Sequence, residues 1–105
     1  MIDELRIPAR RPTPVGEMLT EEFLVPLGIT QAALAEAMGV GRKTVNEICG
    51  GRRSVTPATA MLLSKVLGTT PELWLTLQWL NDLWQAKHDE ETQQRVEKAR
   101  VLVAE

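Results

Sequence analysis

Cysteine and histidine each occur once, as Cys49 and His88, in a chain of 105 residues. A lone cysteine excludes an internal disulfide framework, and with a lone histidine it leaves too few soft ligands for a zinc site. No constellation of nucleophile, base or metal ligands is legible either, so neither enzymatic activity nor a cofactor is expected. No apolar run approaches the roughly 18 to 20 residues of a membrane span. The leading MIDELRIPARR has acids where a signal peptide would have only bases and an apolar stretch. A cytoplasmic protein without a membrane partner is therefore expected. Strand alternation is missing apart from a weak trace at Leu5 to Pro8, and there is no internal repeat or low-complexity tract.

A basic excess is lacking too. Twelve Lys and Arg face 14 Asp and Glu for a net charge of -2, which taken alone argues against a nucleic-acid partner. The distribution argues differently. Residues 57 to 105 carry the whole net -2, leaving the first 56 neutral, while the segment from Gly28 to Thr56 has Arg42, Lys43, Arg52 and Arg53 against Glu36 and Glu47. A small basic patch sits on an acidic body. Apolar residues at 44% and charged residues at 25% are near the averages for globular proteins, and the length suits one core.

What is present in abundance is helix punctuation. Thr13-Pro14, Thr56-Pro57 and Thr70-Pro71 each offer a capping hydroxyl followed by a proline suited to the first helical position. The first helix is expected from Pro14 to about Val25, with Leu19, Phe23 and Leu24 on one face and Pro26 with Gly28 as its stop. A second begins after Thr30, buries Leu34, Ala35 and Met38, and ends at Gly39. A third spans roughly Arg42 to Cys49, where Val45, Ile48 and Cys49 share a face and Lys43, Asn46 and Glu47 project from the other, flanked by Arg42. The fourth runs from Pro57 to Leu67, with Met61, Leu62 and Leu63 near its centre and Gly68 as its stop. The fifth runs from Pro71 to about Lys87 and carries Leu73, Trp74, Leu77, Leu80, Leu83 and Trp84 as a stripe wide enough for core plus partner. The fold class is all-α.

Two helices of about eight residues joined by Gly39-Val40-Gly41 have the layout of a helix-turn-helix, whose second helix enters the major groove of DNA. The basic cluster lies on that second helix and just beyond it. Arg42 and Lys43 stand where side chains reach base edges, while Arg52 and Arg53 follow in a loop able to grip phosphate. Ala35 and the Gly39 turn let the helices approach closely, and Val40, Val45 and Ile48 fix their angle.

The segments RPTPVGEMLTEEFLVPLGITQAALAEAMGV, RKTVNEICGGRRSVTPATAMLLSKVLGTTPELWLTLQ and NDLWQA, together about Arg11 to Ala86, resemble the Xre or lambda-repressor-like helix-turn-helix proteins. RPTPVGEML before the helix pair and TTPELWLTLQ after it narrow the resemblance to the HigA-type antitoxins of bacterial toxin-antitoxin operons. The resemblance implies a lambda-repressor-like five-helix domain over 14–88; outside its reach, an arm is expected over 1–13 and a C-terminal helical extension or tail over 89–105. The resemblance also implies that Gln31 bonds the DNA backbone and that Arg42, Lys43, Thr44, Asn46 and Glu47 form the recognition surface. The implied partners are double-stranded DNA with a pseudopalindromic operator, met as a homodimer with half-sites about 34 Å apart, and a cognate HigB-type mRNA-cleaving toxin. A stand-alone Xre-type regulator without a toxin is the alternative. One departure is Gly41, which stands where such proteins often have Ser or Thr and removes a hydroxyl from the cap of the recognition helix.

Several residues keep two readings. Glu47 either accepts from a cytosine amino group or stabilises the helix surface. Trp79, five residues from both Trp74 and Trp84, faces either a partner or a second layer of core. Beyond His88, the residues Val96, Ala99, Leu102 and Val103 at helical spacing mark either an interaction helix or a frayed tail. Cys49 is expected to be a small buried hydrophobe and His88 a solvent-facing residue. Arg6, Arg10 and Arg11 add at most nonspecific attraction to DNA.

Overall fold

The computed structural model describes residues 10–103. The trace of strand at Leu5 to Pro8, most of the leading arm and Arg6 lie outside the described residues. Within them the chain is all-helical, with six helices and no strand. The first, α1, has α-helical ends, Val15–Leu19 and Val25–Leu27, around a π-helical segment, Thr20–Leu24. It is followed by α2 (Gln31–Met38), α3 (Arg42–Cys49), α4 (Pro57–Leu67), α5 (Pro71–Lys87) and α6 (Glu90–Lys98).

The helix starts follow local chemistry at two of the three Thr-Pro pairs. Thr56 accepts from the Thr59 N–H and Thr70 from the Leu73 N–H, both at 3.3 Å. The third pair departs from expectation. The residue before α1 is Pro14, with no side-chain cap, and the Thr13 carbonyl instead accepts from Asn81 Nδ2 at 2.8 Å. That bond fixes the chain ahead of α1 to α5, but it caps no helix N–H, because Asn81 donates to a carbonyl where a threonine hydroxyl would accept from an N–H.

Pro26 does not stop α1, which runs to Leu27 and ends at Gly28. The π segment explains both the proline and the core pattern. A proline inside a regular α-helix clashes with the carbonyl four residues earlier; the wider turn ahead of Pro26, with the Val25 N–H bonded to the Thr20 carbonyl, relieves that crowding. The same widening brings Leu19 and Leu24, five residues apart, onto one face, and both are buried.

The core gathers Val15, Leu19, Leu24, Leu34, Ala35, Met38, Val45, Ile48, Val55, Ala60, Leu63 and Trp74. Trp74 has no exposed surface, donates its indole N–H to Thr69 Oγ1 at 2.8 Å, and lies against the Phe23 ring at 5.4 Å between centroids. Of the three central α4 residues, only Leu63 is buried, whereas Met61 and Leu62 are exposed. Only one edge of that helix meets α5. Along α5 the stripe enters the core at Trp74 alone, with Leu77 packed against it, Leu80, Leu83 and Trp84 half-buried and Leu73 exposed. Trp79 is 44% exposed, so it is not a second-layer core residue in a single chain.

The C-terminal extension is a helix only as far as Lys98. Ala99 is extended, so Leu102 and Val103 do not continue the apolar face of Val96, and α6 buries no residue. Its one helical neighbour with substantial contact is α5.

Candidate nucleic-acid interface

The geometry of α2 and α3 begins with the turn between them. Gly39 closes α2 at φ +73, a conformation that favours glycine, and its N–H and that of Val40 satisfy the Glu36 and Ala35 carbonyls at 3.1 and 3.0 Å. The chain then restarts at once. Gly41 caps α3 with its backbone only, lacking the hydroxyl that Ser or Thr would supply. Leu34, Ala35, Met38, Val45 and Ile48 are each less than 5% exposed where the two helices meet. Cys49 is half-buried against the core, with no metal-binding cluster of His, Cys, Asp or Glu among the described residues.

A close approach from α1 sets the other side of α3. A Cβ at Gly16 would stand 2.5 Å from the Ile48 carbonyl oxygen and 2.7 Å from the Cys49 carbonyl carbon. The first helix therefore rests backbone to backbone on the last turn of the third. A glycine inside a helical pattern was the available signal for this contact.

With Val45 and Ile48 turned inward, Arg42, Lys43 and Asn46 are exposed, while Thr44 and Glu47 are half-buried at the margins. Arg42 and Lys43 enter no hydrogen bond or ion pair among the described residues, so both cations face solvent. The other polar residues are joined into two sets. In one, Gln31 at the start of α2 accepts at Oε1 from Asn46 Nδ2 (3.1 Å), and Asn46 Oδ1 accepts from Arg52 Nη2 (2.8 Å). In the other, Arg53 donates to Glu47 Oε1 from Nε (3.0 Å) and Nη2 (2.7 Å). These bonds from Arg53 hold the Glu47 carboxyl below its ordinary 4.5, with the positive charges of Arg53, Lys43 and Arg52 adding to the effect.

Arg52 and Arg53 reach back because Gly51, at φ +74, reverses the chain after α3. The loop is then tied down from α5. The Val55 N–H donates to Gln78 Oε1 at 2.9 Å, and Gln78 Nε2 donates to Asp82 Oδ1 at 2.9 Å. Gln78 thus supports the loop, and no local sequence signal marks it. Gln31, Asn46, Glu47, Arg52 and Arg53 form one polar surface with Arg42 and Lys43 beside it. Thr44, Gln31 and Glu47 are half-buried there, whereas Arg42, Lys43, Asn46, Arg52 and Arg53 are exposed.

His88 makes no bond to this surface. It is exposed at the end of α5, stacked on Trp84 at 4.0 Å between ring centroids, with Nδ1 at 2.9 Å from the Trp84 carbonyl oxygen. No helix is long and apolar enough to cross a membrane among the described residues.

The arrangement matches known proteins. A helix-turn-helix family pattern fits residues 21–74. Antitoxin HigA-1 of Vibrio cholerae is 50% identical over 84 residues, which are 80% of this chain and 79% of that antitoxin. Antitoxin GraA in complex with its operator superposes with a TM-score of 0.82 at 41% identity, covering 92% of this chain and 97% of that one. The Pseudomonas aeruginosa antitoxin HigA with the higBA promoter superposes with a TM-score of 0.80 at 32% identity, covering 89% and 100% respectively.

Proposed function

The chain belongs to the HigA-type antitoxin family of helix-turn-helix proteins, and we propose on that footing that it binds and represses its own operon promoter and neutralises a HigB-type mRNA-cleaving toxin. One observation carries the DNA-binding part: α3 gives Val45 and Ile48 to the core and turns Arg42, Lys43 and Asn46 outward. A helix held this way enters the major groove with its polar face on the bases. Arg42 and Lys43 at its N-terminal end reach base edges or the flanking phosphates, and Gln31 meets the backbone from α2. Asn46 and Glu47 lie deeper on the recognition face, and Arg52 and Arg53 border it. Because the cluster is small and the whole chain acidic, affinity depends on the fit of this face more than on bulk charge.

Two copies present two such helices to successive major grooves about 34 Å apart on a pseudopalindromic operator. Bound there, the dimer blocks RNA polymerase sterically, in the cytoplasm. Toxin neutralisation is supported by family membership, and the net negative charge of residues 57 to 105 suits a basic partner.

The test is salt-titrated binding of the purified protein to its own upstream DNA and to scrambled DNA of equal length, beside the Arg42→Ala/Lys43→Ala variant. Preference for the upstream fragment, lost in the variant, is the expected result; equal weak binding to both fragments would count against autoregulation. Coexpression with the neighbouring reading frame should relieve mRNA cleavage by its product. A locus with no such product would leave a stand-alone regulator.

A further inference from the structure

We infer that Glu47, aimed by Arg53, is the specificity-determining residue of α3 and selects cytosine in the major groove. The inference rests on the DNA-binding reading above and assigns the base chemistry of that same face.

Both Arg53 donors converge on a single oxygen of the carboxylate, Oε1, at 3.0 and 2.7 Å. Oε2 accepts from no group among the described residues. One oxygen is therefore anchored, and the other is left with lone pairs for an incoming donor. Asn46, its neighbour on the helix, is committed at both ends of its amide, to Gln31 and to Arg52. Glu47 Oε2 is thus an anionic acceptor without an internal partner on this part of the surface, where Thr44 offers a half-buried neutral hydroxyl and Arg42 and Lys43 offer only donors.

An ionised carboxylate accepts and cannot donate. In the major groove the donors are the cytosine N4 and adenine N6 amino groups; guanine N7 and O6 and thymine O4 present lone pairs that repel it. Adenine places N7, another acceptor, beside its amino group, so a carboxylate there gains one contact against one repulsion. Cytosine offers its amino group with an acceptor on one side only, the O6 of the paired guanine, whereas the adenine amino group lies between N7 and the O4 of the paired thymine.

Arg53 makes such a choice possible at a surface that must also pass close to phosphates. A bare carboxylate would be repelled by the DNA backbone, whereas a paired one carries its own counter-charge and a fixed orientation. Arg53 is then a positioning residue whose guanidinium is spent on Glu47, in place of the phosphate grip read from its loop location. Arg52 stands in the same relation to Asn46.

The experiment is selection from a duplex library with a randomised core, at one fixed salt concentration, by the wild type, Glu47→Gln, Arg53→Ala and Arg53→Lys. Equal melting curves for the four proteins confirm that these changes leave the fold intact. The wild type should enrich a cytosine at one fixed position of each half-site, preferred about tenfold or more over other bases. Glu47→Gln should move that position to adenine, whose N6 and N7 pair with a side-chain amide. Arg53→Ala should weaken the cytosine preference several-fold while leaving the salt slope of binding unchanged, with partial recovery in Arg53→Lys. An identical enriched set for the wild type and Glu47→Gln overturns the assignment of Glu47 while leaving DNA binding standing. Uniform weakening on every sequence in Arg53→Ala, with a salt slope shallower by about one, overturns the positioning role. A wild type that enriches nothing overturns the DNA-binding reading and this inference with it.

Discussion

The backbone N–H of Val55 donates to the side-chain oxygen of Gln78 at 2.9 Å, across 23 residues of sequence, and so fastens the loop after the recognition helix to α5. Val55 is only 4% exposed, so water is a poor substitute partner. Replacing Gln78 with Ala should cost about 1 to 2 kcal/mol in urea unfolding. The same variant should weaken operator binding, because the released loop carries Arg52 and Arg53. Unchanged stability would mean that the loop finds another acceptor.

Gly16→Ala sets two effects against each other. Alanine raises helix propensity by up to about 1 kcal/mol, but the added methyl meets the main-chain carbonyls of Ile48 and Cys49, which cannot rotate aside. Overpacking of this kind costs about 1 to 3 kcal/mol, so the collision should win. Denaturant titration should show net destabilisation, and operator affinity should fall as α3 is pushed off α1.

Trp74 separates packing from hydrogen bonding. Trp74→Ala empties the centre of the core and should cost about 3 to 5 kcal/mol, a large share of the roughly 5 to 15 kcal/mol that a domain has in total. Trp74→Phe keeps much of the ring but removes the bond to Thr69 Oγ1, so the smaller loss should appear together with altered packing on Phe23. Thermal unfolding of the two variants should rank them in that order.

Asp89 caps α6 by accepting from the side chain and backbone N–H of Thr92, which together hold its carboxyl below the ordinary 3.8. A depressed value in the folded chain means that the cap contributes fully above 3.8 and is lost as pH falls through the lower folded value. Acid titration followed by the Thr92 amide signal should show α6 fraying below pH 3.8. Asp89→Asn should keep the helix and abolish that response, since asparagine also caps. At neutral pH the two proteins should have equal global stability, because α6 buries nothing.

Much of this architecture was legible where the cause is local. Thr56, Thr70 and the glycines at 39 and 68 act on neighbours within four residues, and those helix ends fall where the sequence puts them. Inward residues of α3 were legible for the same reason, since Val45 and Ile48 follow helical spacing. Thr13-Pro14 reads like the other pairs, yet its threonine does not cap, and its carbonyl is bonded by Asn81, 68 residues away. Pro26 reads as a stop unless the wider turn before it is known, and nothing local announces that turn. The basic cluster was visible as composition, but its internal pairing was not, because Arg52 and Arg53 meet Asn46 and Glu47 only after Gly51 reverses the chain.

The π segment Thr20–Leu24 has a bearing on descent. Removing one residue from it would place the two buried leucines four apart, the spacing of an ordinary helix, but would also set the following proline against a regular turn. The extra residue and Pro26 are thus interlocked, so a lineage that loses one should be found to have lost the other.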